Sequence, residues 1–320
     1  MQHPKYSVIV PVYNRPEEVN ELLHSLTVQQ YRNFEVIIVE DGSTNPCRDI
    51  VDNYRDKLQL EYIFKQNSGP GPSRNVGYAQ AKGDYFVVFD SDCIIPPDYF
   101  KIVDDALSRQ PFDAWGGPDR AHENFTPLQR AMAFTMSSVL TTGGIRGKKN
   151  SVGSFQPRSF NMGISRNVYD KTQGFSFSRL AEDIELSIRM RKLGFNVVLL
   201  AEAFVFHKRR TTLRQFYHQV SSFGKGRVQV GKAHPGEVKL THWFPALFLV
   251  GMFSPLIVLP FSLPLAIAAL AGYVLYFLAI FLDAYRVNNS LYVAALSIPA
   301  AFIQLTGYGS GFLKQIFSKA

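Results

Sequence analysis

The sequence predicts an α/β chain with a mostly parallel sheet flanked by helices, followed by apolar helices of membrane character. Three observations carry this reading. Short β-rich runs alternate with longer amphipathic stretches over the first 200 residues, the pattern of a sheet covered by helices. Polar segments follow the apolar strands, where open parallel sheets bind their ligands. From 243 to 282 there is no Asp, Glu, Lys or Arg. With 320 residues, 46% of them apolar, and a mean hydropathy of −0.03, the chain can bury a large core, which excludes disorder and fibrous repeats. Two cysteines, Cys47 and Cys93, are too few for a disulfide framework or a cysteine-built zinc site, and a reducing compartment is expected. The first residues lack a signal-peptide pattern, so the N-terminal part is expected in the cytosol.

The elements follow in order. Residues 6–12, YSVIVPV, read as a buried strand, and 17–30 as a helix with Val19, Leu22, Leu23 and Leu26 on one face. A strand at 34–39, a helix at 46–57, a strand at 60–64, a helix at 73–82 and a strongly apolar strand at 85–89 continue the alternation. Four polar segments occupy the strand ends: Tyr13-Asn14-Arg15, Glu40-Asp41-Gly42-Ser43, residues 67–71, and Asp90-Ser91-Asp92.

Asp90-Ser91-Asp92 is the sharpest chemical signal. Carboxylates at i and i+2, where a strand opens into a turn, can offer oxygens to one hard cation whose shell a diphosphate completes. Alone, such a pair is more often a turn or a cap. Glu182-Asp183 opens a helix with Ile184 and Ile188 on its apolar face, where a carboxylate suits either a cap or a catalytic base. Gly69, Gly71 and Gly77 fit neither a P-loop nor a dinucleotide fingerprint and read as a rigid turn into a helix. Arg74 on that helix suits either a brace between carboxylates or direct contact with a ligand.

Taken together, SVIVPVYN at 7–14, VEDGS at 39–43, NSGPGPSRNVG at 67–77, Asp90-Ser91-Asp92 and Glu182-Asp183 resemble the inverting family-2 nucleotide-sugar glycosyltransferases of GT-A fold, a family that includes cellulose, chitin and hyaluronan synthases. The resemblance covers roughly residues 5–230. It implies that Asp41 contacts the donor base, that Pro11 and Val12 line the base and ribose pocket beside Asn14, that Asp90 touches the ribose and that Asp92 holds the metal. Asp183 is then the base that deprotonates the acceptor hydroxyl, and Glu182 orients the acceptor. His207, after a strand, matches a position that related enzymes bring to the metal, with a buried structural histidine as the alternative. Arg227 matches a basic element over the donor phosphates, though the tryptophan of the processive-synthase motif is missing. One departure is Glu40, where the family commonly has a first aspartate. Mg²⁺ or Mn²⁺ is the implied cofactor, Mn²⁺ if His207 is a ligand.

The net charge is +8, and beyond residue 242 only Asp283, Arg286, Lys314 and Lys319 are charged. Lys208, Arg209, Arg210, Arg214, Lys225, Arg227 and Lys232 form an acid-free run just ahead of the apolar stretch, as the positive-inside rule predicts for the cytosolic side of a membrane. Pro255, Pro260 and Pro264 divide that stretch into spans at 243–259 and 264–282, and 290–312 is a third span or an interfacial segment. A glycine- and lysine-rich stretch at 143–149 reads as a loop on the acceptor side.

The expectation is a cytosolic GT-A domain at 1–232 and a membrane anchor at 233–320 in the inner (cytoplasmic) membrane. The chain would transfer a sugar from a nucleoside-diphosphate donor, UDP-linked as the resemblance implies, to a glycan or lipid-linked acceptor. No nucleic-acid partner is expected. A polyprenyl-phosphate sugar synthase is the alternative within the same family, and a catalytically silent binding module is the alternative outside it.

Overall fold

The computed structural model describes residues 3–120, 125–143, 155–208 and 210–318. In chain order the elements are β1 (Tyr6–Val12), α1 (Pro16–Thr27), β2 (Phe34–Asp41), α2 (Arg48–Asp52), β3 (Leu60–Lys65), α3 (Pro70–Gln80), β4 (Tyr85–Phe89), β5 (Cys93–Ile94), α4 (Tyr99–Arg109), β6 (Ala114–Gly116), β7 (Asp119–Arg120), α5 (Pro127–Ser137), α6 (Val139–Thr142), β8 (Asn161–Ser165), α7 (Arg166–Thr172), α8 (Glu182–Lys192), β9 (Val197–Leu199), β10 (Val205–His207), α9 (Leu213–Ala233), α10 (Phe244–Gly251), α11 (Ser254–Val258), α12 (Leu263–Asn288) and α13 (Leu291–Phe317). They form two compact units, Met1–His122 with Phe155–Lys208, and Glu123–Ser154 with Arg209–Ala320. The units part at 208/209 rather than at the expected 232, because α9 buries its apolar face against α5 and α13.

The first unit holds a seven-stranded sheet of order β3-β2-β1-β4-β8-β6-β9. β3, β2, β1 and β4 run parallel, β8 runs antiparallel to β4 and β6, and β9 is parallel to β6. Successive side chains of a strand point to opposite faces, so each central strand supplies two cores. Val8, Val10, Val36, Ile38, Val87 and Phe89 pack with α1 and α4 on one face, and Ile9, Ile37, Val39, Phe86 and Val88 pack with α3, α7 and α8 on the other. A second sheet of order β5-β10-β7 joins residues just beyond β4 to the end of the unit.

The expected helix at 46–57 is only Arg48–Asp52, followed by turns. Val51 is its one buried residue, too little apolar surface to propagate a longer helix. By contrast, α3 begins three residues earlier than predicted, since Pro70 sits at the first turn, where its missing N–H costs nothing.

The second unit is helical. α13 is its axis and packs on α5, α9, α10 and α12. Small residues let the backbones approach: a Cβ at Gly311 would overlap the Ser221 carbonyl, one at Gly309 the Pro245 carbonyl, and one at Gly224 the Tyr308 carbonyl. Despite Pro299, Gly307, Gly309 and Gly311, α13 is one continuous helix. The expected first span, 243–259, is instead broken into α10 and α11 around Met252 and Phe253. Pro255 cannot donate to the carbonyl one turn back, which ends the helix there. Among the described residues, the helices long and apolar enough to cross a membrane are α12 and α13.

Gly311→Val should therefore destabilise the helical unit by overpacking, by about 1–3 kcal/mol. Thermal unfolding of the detergent-solubilised chain checks this, with Gly272→Ala, where nothing lies within 4 Å of the added carbon, as the comparison.

Candidate active site

The carboxyl ends of β1, β2 and β4 carry the polar segments picked out in the sequence. At the end of β1, Asn14 adopts a left-handed φ of +53°, a conformation asparagine tolerates better than most residues. Its backbone N–H donates to Ser43 Oγ at 2.7 Å, and its Oδ1 accepts from the backbone N–H groups of Thr44 and Asn45 at 2.9 and 3.0 Å. The ends of β1 and β2 are thereby clasped. Glu40 is fully buried and accepts from Ser43 Oγ, from the Cys47 N–H at 2.8 Å and from Tyr62 Oη at 3.2 Å. The extra methylene over aspartate is used to reach the start of α2. Val12 is committed to the core, which leaves only its main chain for a ligand, whereas Pro11 is partly exposed.

Asp41 is held by Lys65 Nζ and by the N–H groups of Ser68 and Gly69, each at 2.9 Å. Burial raises its pKa, but these donors outweigh burial and hold the carboxyl below its ordinary value. Gly69 has φ +104°, and a Cβ there would lie 2.7 Å from the Ser178 carbonyl. A Cβ at Gly71 would overlap the Phe177 carbonyl, and the Gly71 N–H donates to Ser178 O at 3.0 Å. The glycines thus seat the 67–71 loop on the segment that leads to α8. Asn75 adds a two-way clasp with the Phe175 main chain, both bonds 2.8 Å.

Arg74 is buried between two carboxylates. Its Nη2 donates to Asp90 Oδ1 and its Nη1 to Glu182 Oε1, both at 2.8 Å. Burial works against its charge and the two acids outweigh that effect. Arg74 thereby braces Asp90 against Glu182, one of the two roles open to it in the sequence. Burial likewise raises the Glu182 pKa, with Asp183 adding to the rise and Arg74 opposing it. Beside it, Asp183 Oδ1 accepts from the Ile184 N–H at 2.7 Å, and Oδ2 lies 3.4 Å from the Ser159 N–H and 3.7 Å from Arg158 Nη1. Ala181, just ahead, has φ +57°, a left-handed conformation that costs an alanine about 1 kcal/mol. Such strain persists only where the surroundings fix it, and it concentrates at functional sites.

The small sheet brings His207 to the turn after β4, pairing it with Cys93 across the β5–β10 ladder. His207 Nε2 lies 3.0 Å from Asp92 Oδ1, and Arg15 Nη1 donates to Asp92 Oδ2 at 2.8 Å. Asp92, Cys93 and His207 hold one donor atom each within 4.8 Å of one another. Burial, with the nearby Asp92 and Asp90, pushes the Cys93 thiol well above its ordinary pKa, so sulfur stays protonated. A carboxylate with an imidazole suits Mn²⁺, and the carboxylate alone suits Mg²⁺, so the residues present fit the implied cation.

A glycosyl transferase family 2 domain matches residues 7–173, just over half of the chain. The chain belongs to glycosyl transferase family 2. An uncharacterised glycosyltransferase of Rickettsia felis is 37% identical over 98 residues, which are 31% of this chain and 16% of that protein. TarS of Staphylococcus aureus, a poly(ribitol-phosphate) β-N-acetylglucosaminyltransferase, is 42% identical over 101 residues, 30% of this chain and 18% of TarS. The matched stretch is thus less than a fifth of either relative. Among solved structures, the mannosyltransferase PcManGT of Pyrobaculum calidifontis, in complex with GDP-Man and Mn²⁺, has a TM-score of 0.63 at 16% identity, covering 100% of this chain and 89% of that one. TarS 1–349 with UDP-GlcNAc has a TM-score of 0.51 at 20% identity, covering 97% and 91%. At these identities the likeness is one of fold, and it agrees with the expected GT-A architecture.

Within the family 2 frame, the first unit brings Asp41, Arg74, Asp90, Asp92, Glu182, Asp183 and His207 to one edge of the molecule's main sheet. Arg227 belongs to the helical unit, where it is buried near His242; burial, then Arg227 and Lys239, lower the His242 pKa to about 3. The 143–149 loop lies outside the described residues apart from Gly143. Sequence reasoning missed Lys65 and Arg15 as partners of Asp41 and Asp92. Lys65 ends β3 on the same edge as the other polar segments, and that position was the available signal.

Arg74→Met should strand the buried Glu182 carboxylate and destabilise the first unit by about 3 kcal/mol or more. Urea unfolding at pH 7 measures this, and Arg74→Lys, which keeps the charge but not the fork, should lose less.

Proposed function

We propose that this chain transfers a glycosyl group from a nucleoside-diphosphate sugar, UDP-linked in our reading, to a glycan or lipid-linked acceptor, with inversion at the anomeric carbon. The observation that carries the reading is the Arg74 bridge, which ties Asp90, on the strand edge that would hold the donor, to Glu182, the neighbour of Asp183. Both halves of a transfer site are thereby set against one guanidinium. The GDP-Man bound by PcManGT and the UDP-GlcNAc bound by TarS support a sugar nucleotide as donor.

In this mechanism Asp41, with Asn14 and Pro11, receives the base, and Asp90 the ribose. Asp92 and His207 would hold Mn²⁺ or Mg²⁺, which when bound neutralises charge on the diphosphate. Asp183 accepts the proton of the acceptor hydroxyl as that oxygen bonds to the anomeric carbon. The bond from that carbon to the diphosphate oxygen breaks on the opposite face, and the electron pair leaves with the nucleotide. Glu182, buried and paired with Arg74, is a positioning residue. We place the catalytic unit on the cytosolic side of the inner membrane, where nucleotide sugars are found, and attach it through 243–282. The apolar character of that stretch favours a lipid-linked acceptor. A lipid phosphate acceptor would already be anionic and would need no base.

Asp92→Asn, or EDTA on the unaltered chain, should weaken calorimetric binding of UDP in the presence of Mn²⁺ by tenfold or more while leaving the unfolding temperature near its original value. Equal affinity with and without metal would overturn the cation assignment.

Asp183→Asn should lower transfer to a hydroxyl acceptor by 10²–10⁴-fold, the usual contribution of a positioned base, and should spare UDP binding. Normal turnover by this variant would move the base elsewhere, and retained transfer to polyprenyl phosphate alone would favour the lipid-phosphate reading.

A further inference from the structure

Resting on the membrane reading above, we infer that α11 and the first half of α12 form a re-entrant hairpin that dips into one leaflet and returns to the same face, and that α13 is a core helix of the protein which does not cross the bilayer. The structural distinction lies in what covers each helix. In its most apolar stretch α12 is 11% buried, whereas α13 is 44% buried. Along its C-terminal half α13 lies against α9, where Tyr217 Oη and Ser310 Oγ are 2.9 Å apart and Gly311 abuts Ser221. α9 exposes Arg214, His218 and Lys232 to its surroundings. A helix bearing those groups is too costly to place in hydrocarbon, so the α13 half that it flanks stays outside as well. At the other end α13 packs on α5, and Arg130 of α5 donates to the Asn288 carbonyl, one turn before α13 begins.

The second half of α12 is also tied to polar parts of the unit. Ser138 Oγ donates to Asp283 at 3.0 Å, and Tyr276 Oη donates to the Leu140 carbonyl at 2.8 Å. Beyond Tyr276, toward its N-terminus, α12 packs on α11. α10, which packs on α13, meets α12 at the base of the hairpin, Phe244 at Tyr276 and Phe248 at Tyr273. From Tyr276 to the tip at Phe261 and Ser262 the helix rises about 20 Å, short of the ~30 Å hydrocarbon core of a bilayer. Leu256, Ile257, Phe261, Leu263, Leu265 and Leu270 are all more than half exposed, and Phe261 at the tip is 85% exposed.

The base of the hairpin carries the residues that favour a headgroup layer. Trp243, Tyr273 and Tyr276 sit at its level, and Lys239 lies just before it. The backbone of the tip is largely satisfied within the hairpin: the Phe261 and Ser262 N–H groups both donate to the Val258 carbonyl at 2.9 Å, and Ser262 Oγ accepts from the Leu265 N–H. These bonds pair three N–H groups of the turn, which lowers the cost of placing it in hydrocarbon. The occupant of this surface is accordingly the acyl region of a single leaflet.

The test uses the full chain in right-side-out and inverted membrane vesicles with single added cysteines at Phe261, Arg286 and Lys314. Cys47 and Cys93 are buried and serve as the unlabelled background. The expected result is that an impermeant maleimide labels Arg286→Cys and Lys314→Cys from the same face and Phe261→Cys from neither. A bimane at 261 should be quenched more by lipids carrying a mid-chain nitroxide than by headgroup-labelled lipids. Labelling of position 261 from the face opposite 286 would show two full crossings and overturn the inference while keeping the membrane reading. Labelling of 286 and 314 from opposite faces would make α13 a span, with the same consequence. Release of the chain by alkaline carbonate, with no lipid quenching at 261, would remove the membrane reading and this inference together.

Discussion

A guanidinium buried between two carboxylates sets the geometry of the catalytic unit. Burying the Arg74 charge carries a desolvation cost that the two carboxylates offset, and they lie at the ends of two different elements. Asp90 ends the central strand, and Glu182 begins the helix that presents Asp183. The bridge therefore fixes the end of β4 against the start of α8, two elements far apart in the chain. The surrounding contacts serve the same end. Gly69 and Gly71 let the 67–71 loop lie on the Phe177 and Ser178 carbonyls, and Asn75 clasps Phe175, so the approach to α8 is held from α3 on several sides. Against that bracing, the left-handed Ala181 is a modest local penalty.

The sheet was readable because its central strands are uninterrupted apolar runs bounded by polar residues. β1 and β4 have the limits that the hydrophobic pattern predicts, 6–12 and 85–89. α2 was not readable from the same signal, since its length depends on how much surface it can bury and only Val51 finds the core. At the site, the residue types and their convergence on strand ends could be anticipated, and so could the arrival of Asp183 at a helix start. The pairings could not. Whether Arg74 meets Glu182 or a ligand, and whether Glu40 faces a nucleotide or the start of α2, is decided by tertiary contacts between segments whose separation in sequence carries no signal. The same holds for the partial burial that separates Pro11 from Val12.

The apolar region shows how composition and context diverge. Forty uncharged residues and a third glycine-rich segment suggest successive spans by length alone. Length does not reveal that Pro255 ends the first helix, or that Gly307, Gly309 and Gly311 serve close helix packing in α13. A proline tolerated at 299 and one that breaks a helix at 255 look alike in the sequence. They differ in their support: α13 is held along its length by four other helices, while α11, whose first turn holds Pro255, has no buried residue.

The clasp between the first two strand ends has a thermodynamic consequence. Asn14 bonds four groups of the 43–45 turn, and Glu40 anchors the same turn to Cys47 and Tyr62. The backbone that would receive a nucleobase is thus ordered as part of folding, and its loss of conformational entropy is already complete before any ligand arrives. Contacts formed by a ligand there need not offset the ordering of a mobile loop, and more of their free energy is available as affinity. A ligand whose outline departs from that preformed turn would have to break the clasp first, so the rigidity that would favour a matching ligand also selects against others.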